Sequence, residues 1–160
     1  MSAELLFSLC NMTIIPGWLL LVFLPKWKWT LGLITSAIIP FTLAFVYGGL
    51  FVTRLGSMPE GGGFGSLPEL MILFSDPYLV TVGWIHYLAF DLFVGSWEVQ
   101  DAQKQGISHW YVIPCLGLTL MLGPIGFALY LLLRYVSKRK LLIFEQVWVH
   151  FRLASDPLGP

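Results

Sequence analysis

The chain has 160 residues, enough for one domain, and its 9 Lys plus Arg balance its 9 Asp plus Glu. Only 11% of it is charged and 57% is hydrophobic, whereas a soluble domain carries about 25% charged residues. That composition cannot dress a water-facing surface, and a neutral chain with no basic patch excludes nucleic acid, so the expected partner is the lipid bilayer.

The first apolar run, Glu4 to Leu24, is long enough to cross about 30 Å of hydrocarbon as a helix. No basic segment precedes it and no small-residue cleavage site follows, so it reads as a retained span rather than a signal peptide. An Arg/Ser-rich transit segment is also missing, which fits a bacterial gene or a mature form. Pro25-Lys-Trp-Lys-Trp29 is short and carries two interfacial tryptophans. It joins the first run antiparallel to a second, Thr30 to Thr53. The connection from Arg54 to Asp76 holds the turn-rich Glu60-Gly-Gly-Gly-Phe-Gly-Ser66. Leu67 to Phe74 is too short to span and too apolar for water, so an interfacial or re-entrant segment is expected there. Asp76-Pro77 is an N-cap and first-turn pair for a third run, Pro77 to Trp97.

The fourth run is Trp110 to Tyr135, with Leu122-Gly-Pro-Ile-Gly126 the best candidate for a helix break. Beyond Tyr135 the chain is basic, then amphipathic from Leu141 to Leu153, as in a surface-lying helix, and its last residues Ser155 to Pro160 read as disordered. The fold expected is all-α, a four-helix transmembrane bundle spanning residues 1–140, with a tail at 141–160. Four spans would put Arg54, Arg134, Lys138, Arg139, Lys140 and Arg152 on one side. Lys26, Lys28 and Lys104 would lie on the other. The excess of basic residues then places both termini in the cytoplasm.

The third run carries the chemistry. Polar groups in hydrocarbon are costly unless paired or used. At about 100° per residue, Trp84, Tyr87, Asp91, Glu98 and Asp101 share one helix face, and His86 sits at its margin. Asp91 and Glu98 are about 10 Å apart along the axis, so an elongated ligand could meet both. For Glu98 and Asp101 two readings compete, a solvated helix end and a ligand contact. Asp91 lies near mid-span, where water is not available, so it must pair with a group such as Tyr87 or line a wet cavity. Desolvation favours its neutral acid, which can serve as a general acid. His86 is equally readable as a buried hydrogen-bonding group or as a catalytic one. Asn11 lies in the first run, where an amide often joins helices. Glu69 reads as interfacial or bundle-facing.

Cys10 and Cys115 read as packing residues. No zinc spacing, phosphate loop or nucleophile elbow occurs, and the histidines fit neither a haem nor a di-iron pattern, so no metal is expected.

The segment Gly83-Trp-Ile-His-Tyr-Leu-Ala-Phe-Asp-Leu-Phe-Val-Gly-Ser-Trp-Glu-Val-Gln-Asp101 resembles the core motif of the abscisic-acid-deficient-4 family. Asn11 with Pro16-Gly-Trp18, the Ser75-Asp-Pro77 helix entry and Ile113-Pro-Cys-Leu-Gly-Leu-Thr-Leu-Met-Leu-Gly-Pro-Ile-Gly126 agree with it. The likeness covers roughly Leu5 to Tyr135. Plant members are linked to forming neoxanthin from violaxanthin, so the resemblance implies a small membrane protein acting on a carotenoid, without a cofactor. A homologue lacking the transit peptide would sit in a bacterial membrane, cyanobacterial plasma or thylakoid membrane included, or in a plastid membrane as a mature plant form.

Turning a 5,6-epoxide into an allenic alcohol is an isomerisation that needs an acid and a base. On this reading Asp91 is the acid, His86 the base or its relay, and Tyr87 the group that orients Asp91. Trp84, Glu98, Asp101, Asn11 and Trp97 would hold the substrate. The alternative is a non-catalytic carotenoid-binding or assembly protein that serves a partner enzyme or photosystem. A second copy of the chain or a pigment–protein is the further expected partner. A proton-coupled transporter built on Asp91 is the weakest reading, since no repeat is present.

Overall fold

The computed structural model describes residues 1–30 and 38–138, and the described residues form helices and turns. Helix α1 is Ala3–Phe23, α2 is the single turn Lys28–Thr30, and α3 is Ile38–Arg54, extended by a 3₁₀ turn at Leu55–Ser57. Next come the short α4 (Leu67–Leu73), the long α5 (Pro77–Gln105), α6 (His109–Leu122) and α7 (Pro124–Lys138). Three helices are long and apolar enough to cross a membrane, Ala3–Phe23, Ile38–Ser57 and Pro77–Gln105. They correspond to the first three predicted runs. Residues 139–160, which include the predicted amphipathic tail, lie outside the described residues.

Local chemistry sets the helix ends. The Asp76 carboxylate accepts from the Tyr78 N–H at 2.7 Å and the Leu79 N–H at 3.2 Å, so Asp76-Pro77 starts α5 as expected. Gly106, at φ 63°, closes the same helix in the left-handed conformation. Ser66 and Glu69 form a capping box on α4. The Ser66 hydroxyl donates to Glu69 Oε1 at 2.9 Å and accepts from the Glu69 N–H at 3.4 Å. Glu69 Oε2 also accepts from the Gly65 N–H at 3.1 Å. Glu69 is therefore spent on a helix start.

Helix α5 is the axis of the molecule, and α1 runs parallel to it. Tyr78 donates to the Met1 carbonyl at 3.1 Å, Trp84 to Asn11 at 3.1 Å, and Gln103 to the Pro25 carbonyl at 2.8 Å. Gly17 packs on Leu92, and Gly95 lies under the Trp18 ring. Small residues thus let α1 approach α5 closely. Asp91 falls near the middle of this shared length.

The predicted fourth span is divided. Gly123, at φ 43°, breaks the run, and α7 folds back along α6. The break expected within Leu122 to Gly126 is there, but it reverses the chain instead of kinking it. Three sets of contacts fix the return. Gly123 lies against Asp91, Trp97 packs edge-on against Phe127 and Tyr130, and Arg134 reaches Asp101. Each of the two helices, at 14 and 15 residues, is about 21–23 Å long. That is shorter than a hydrocarbon core of about 30 Å. The pair is a hairpin entering from the Gln105 end of α5 and turning at the level of Asp91.

This corrects the expected charge distribution. Arg134 and the end of α7 lie with Lys26, Lys28 and Lys104, not with Arg54. Arg54 sits at the other end, its guanidinium 3.6 Å from the centre of the Tyr78 ring. Through residue 138, the two ends of the described chain are therefore on opposite ends of the bundle. An uninterrupted apolar run is expected to cross once, and the break at Gly123 turns this one back instead.

The hairpin depends on a glycine. A Cβ on Gly126 would overlap the Thr119 backbone nitrogen and hydroxyl, whereas one on Gly117 would meet nothing within 4 Å. Gly126→Ala is expected to cost about 1–3 kcal/mol through overpacking. Gly117→Ala should leave stability unchanged or raise it by up to about 1 kcal/mol. Unfolding of the two variants in detergent, followed by circular dichroism, checks the contrast.

Candidate functional site

Helical phase turns Tyr87, Asp91, Glu98 and Asp101 toward the α6–α7 hairpin, and the hairpin supplies what they bond to. Asp101 is 7% exposed and Arg134 1%. Arg134 Nε lies 2.7 Å from Asp101 Oδ2, and the Tyr130 hydroxyl donates to the same oxygen at 2.7 Å. Glu98 is 0% exposed, and its Oε1 accepts from the Thr119 hydroxyl at 2.9 Å. Neither acid is a solvated helix end. Of the two readings open for them in the sequence, water is removed for both. Asp101 is satisfied within the protein by an ion pair and a hydroxyl, so ligand contact is not what its geometry supports.

Asp91 differs. It is 8% exposed, and its Oδ2 accepts no hydrogen bond among the described residues. Gly123 passes so close that a Cβ there would stand 2.8 Å from Asp91 Oδ1. The Tyr87 hydroxyl donates to the Leu120 carbonyl at 3.3 Å and also lies near enough to interact with Asp91. Tyr87 therefore ties the hairpin to α5 beside the acid. Glu98 Oε2, like Asp91 Oδ2, is buried without a hydrogen bond.

The hairpin covers only part of α5. Above its turn the face carrying Trp84 is open, with Trp84 itself 37% exposed. A row of rings lines it, Phe7 to Trp84 at 5.4 Å and Trp84 to Tyr87 at 5.2 Å. Asn11 fixes the Trp84 indole and donates its own amide to the Phe7 carbonyl at 2.8 Å. At Leu120 the open face meets an apolar groove between α1 and α6, of about 220 Å³, bordered by Ile14, Trp18, Val22, Leu116 and Gly117. Tyr87 touches the Trp84 ring, bonds Leu120 and lies near Asp91, so it links the exposed rings, the groove and the buried acid.

Other expected site residues fall elsewhere. His86 is exposed on another face, its ring 5.9 Å from Tyr47 of α3 and 4.6 Å from Phe90. It does not join Asp91. Trp97 is half-buried and packs on α7 as a wall of the hairpin. Trp84, Tyr87, Asp91 and Asn11 do come together. Among the described residues no group of three His, Cys, Asp or Glu side chains could hold a metal ion.

Thr119, Tyr130 and Arg134 were not foreseen as site residues. The one signal for them was the Gly123-Pro124 break, which allows α7 to return.

The Asp101–Arg134 pair makes a stability prediction. Arg134→Leu alone strands a buried carboxylate and should cost about 3–5 kcal/mol. The double variant Asp101→Leu/Arg134→Leu should cost less than that single change, because no charge is left unpaired. A double-mutant cycle from denaturant unfolding reads the difference.

The model of one family, described as ABA DEFICIENT 4-like, matches residues 5–130. No curated protein and no solved structure matches the chain. The match takes in α1, α3, α5, α6 and the start of α7, with the whole aromatic row and Asp91, and the chain belongs to the ABA DEFICIENT 4-like family.

Proposed function

We propose that the protein modifies a carotenoid at Asp91 by acid/base isomerisation of an epoxidised or related xanthophyll, as in neoxanthin formation. Family membership supports the carotenoid. The observation that carries the chemistry is the position of Asp91, a buried carboxyl near mid-span with one oxygen free of hydrogen bonds among the described residues, beside Tyr87 at the end of the aromatic row. A polyene is a long, rigid, apolar body, and stacked side-chain rings with an aliphatic groove beyond them suit it. In hydrocarbon the neutral acid is the favoured form, and it can give its proton to an epoxide oxygen. Such a reaction needs no electron transfer, and no cofactor is invoked.

A second reading is a non-catalytic carotenoid-binding or assembly protein that serves a partner enzyme or photosystem. One observation favours it: His86, the base expected from the sequence, faces α3 instead of Asp91.

In the membrane, α1, α3 and α5 would be full spans and α6–α7 a hairpin too short to cross. Lys26, Lys28, Lys104 and Arg134 share one end, which the positive-inside rule assigns to the cytoplasm. On this reading Met1 lies on the opposite side.

Expression in a carotenoid-producing bacterium supplied with epoxidised and unmodified xanthophylls, followed by pigment chromatography, tests the proposal. A new isomer is expected, with its formation reduced about 10²-fold or more by Asp91→Asn. Pigment that co-purifies unchanged with both proteins would favour the binding reading. Absence of both product and bound pigment would contradict the carotenoid assignment.

A further inference from the structure

A cavity of about 510 Å³ lies at the Gln105 end of α5, away from Asp91. It opens between the end of α1, the end of α5 and the start of α6, with Pro25, Lys26, Ala102, Gln103, Ser108 and His109 in its wall. Two bonds hold these segments together. Gln103 donates to the Pro25 carbonyl at 2.8 Å, and His109 Nε2 donates to the Val22 carbonyl at 2.8 Å. A cavity braced across three segments is formed before any ligand arrives, and its volume is in the range of small-molecule sites.

Its electrostatics are one-sided. Lys26 supplies a cation to the lining, and no Asp or Glu joins it there. Among the described residues the Lys26 ammonium has no ion pair. Lys28 and Lys104 are exposed at the same end. Asp101 is spent on Arg134. Ser108 is the N-cap of α6, and its hydroxyl bonds none of the helix N–H groups. The start of α6 therefore adds partial positive charge to the cavity that Lys26 lines.

Depth decides which anion suits it. Trp27, Trp29 and Trp110 are all exposed at this end, as tryptophans are at a membrane–water interface. The cavity is thus at headgroup level. Val22, whose carbonyl holds His109, also borders the apolar groove between α1 and α6, with Phe23 beside it. A cationic cavity at the interface followed by apolar side chains on the way to mid-membrane has the polarity of a phospholipid, phosphate first and acyl chain below. On the orientation proposed above, this end faces the leaflet where anionic lipids collect.

We propose that this cavity binds an anionic phospholipid, its phosphate beside Lys26 and one acyl chain entering over Val22 and Phe23. The site uses neither Asp91 nor the aromatic row of Phe7, Trp84 and Tyr87, so it stands apart from the carotenoid reading. A lipid held there fastens the turn between α5 and α6 to the end of α1, where the α6–α7 hairpin begins.

Native mass spectrometry of the purified full chain, offered phosphatidylglycerol and phosphatidylcholine in equal amounts, tests the site. The wild type should retain phosphatidylglycerol better by about fivefold or more, the scale set by one cation beside an anionic headgroup. Lys26→Gln should abolish that preference, and because Lys26 is exposed the core packing is kept. Ser108→Trp fills the cavity without changing its charge and should lower phosphatidylglycerol retention as well. Lys28→Gln, outside the lining, should leave most of the preference. Unchanged retention in Lys26→Gln or Ser108→Trp would overturn the site, and so would equal losses in Lys26→Gln and Lys28→Gln, which would mean diffuse surface charge. Displacement of the lipid by an equal concentration of glycerol 3-phosphate would make it a site for a soluble phosphate instead. Absence of any lipid preference, with Lys26-dependent retention of a dihydroxy carotenoid in its place, would likewise overturn the proposal.

Discussion

Three carboxyls are buried along one helix, and the rest of the structure follows from what the protein supplies to two of them, Glu98 and Asp101. Hydrocarbon offers no water to an acid, and an unpaired charge there is costly. Asp101 receives a cation and a phenol, and Glu98 receives a hydroxyl. All three partners come from the α6–α7 hairpin. That hairpin exists because Gly123 adopts a positive φ and Gly126 lets one helix rest against Thr119 of the other. Backbone geometry at two glycines therefore decides whether the acids of α5 are tolerable.

A hairpin shorter than the hydrocarbon core has a second consequence. It covers α5 from Asp91 to Asp101 and leaves Trp84 and its neighbours facing lipid. The acid least provided for, Asp91, sits where cover ends. Met121 at the turn is 71% exposed, so the rim is apolar as well. Along one helix face Asp101 anchors the hairpin, Asp91 lies against its turn, and Glu98 lies between them.

Much of this was legible in the residues. Asp76-Pro77 announces the start of α5, and helical phase gathers Tyr87, Asp91, Glu98 and Asp101 before any contact is known. Asn11 and Trp84 stand out as polar groups in apolar runs, and they bond to each other. What stayed hidden depended on tertiary placement. Hydropathy reads Trp110 to Tyr135 as one span, because a chain that turns back in the membrane is as apolar as one that crosses. The Gly-Pro pair marks the break, but only the fit of Gly126 against Thr119 says which way the chain then goes. Arg134 looks like an interfacial charge until α7 is brought back to Asp101. For Glu98 and Asp101 the solvated-end reading stays open from α5 alone, because the hairpin that covers them is not visible in that helix's own sequence. His86 stands 140° from Asp91 by helical phase, so phase alone turns it away from that acid, and α3 is what it meets. The Ser66-x-x-Glu69 box was readable, and it removes Glu69 from the site.

The fold-back of α7 bears most of this account, and a distance measures it directly. Spin labels at Ser108 and Ser137, both exposed, flank the hairpin, and pulsed electron resonance in lipid nanodiscs reads their separation. Adjacent ends of packed helices predict about 10–20 Å, allowing for the label arms. A continuous helix over the same residues would hold the labels about 43 Å apart. The short distance is the predicted result, and the long one would contradict the hairpin and with it the partners assigned to Glu98 and Asp101.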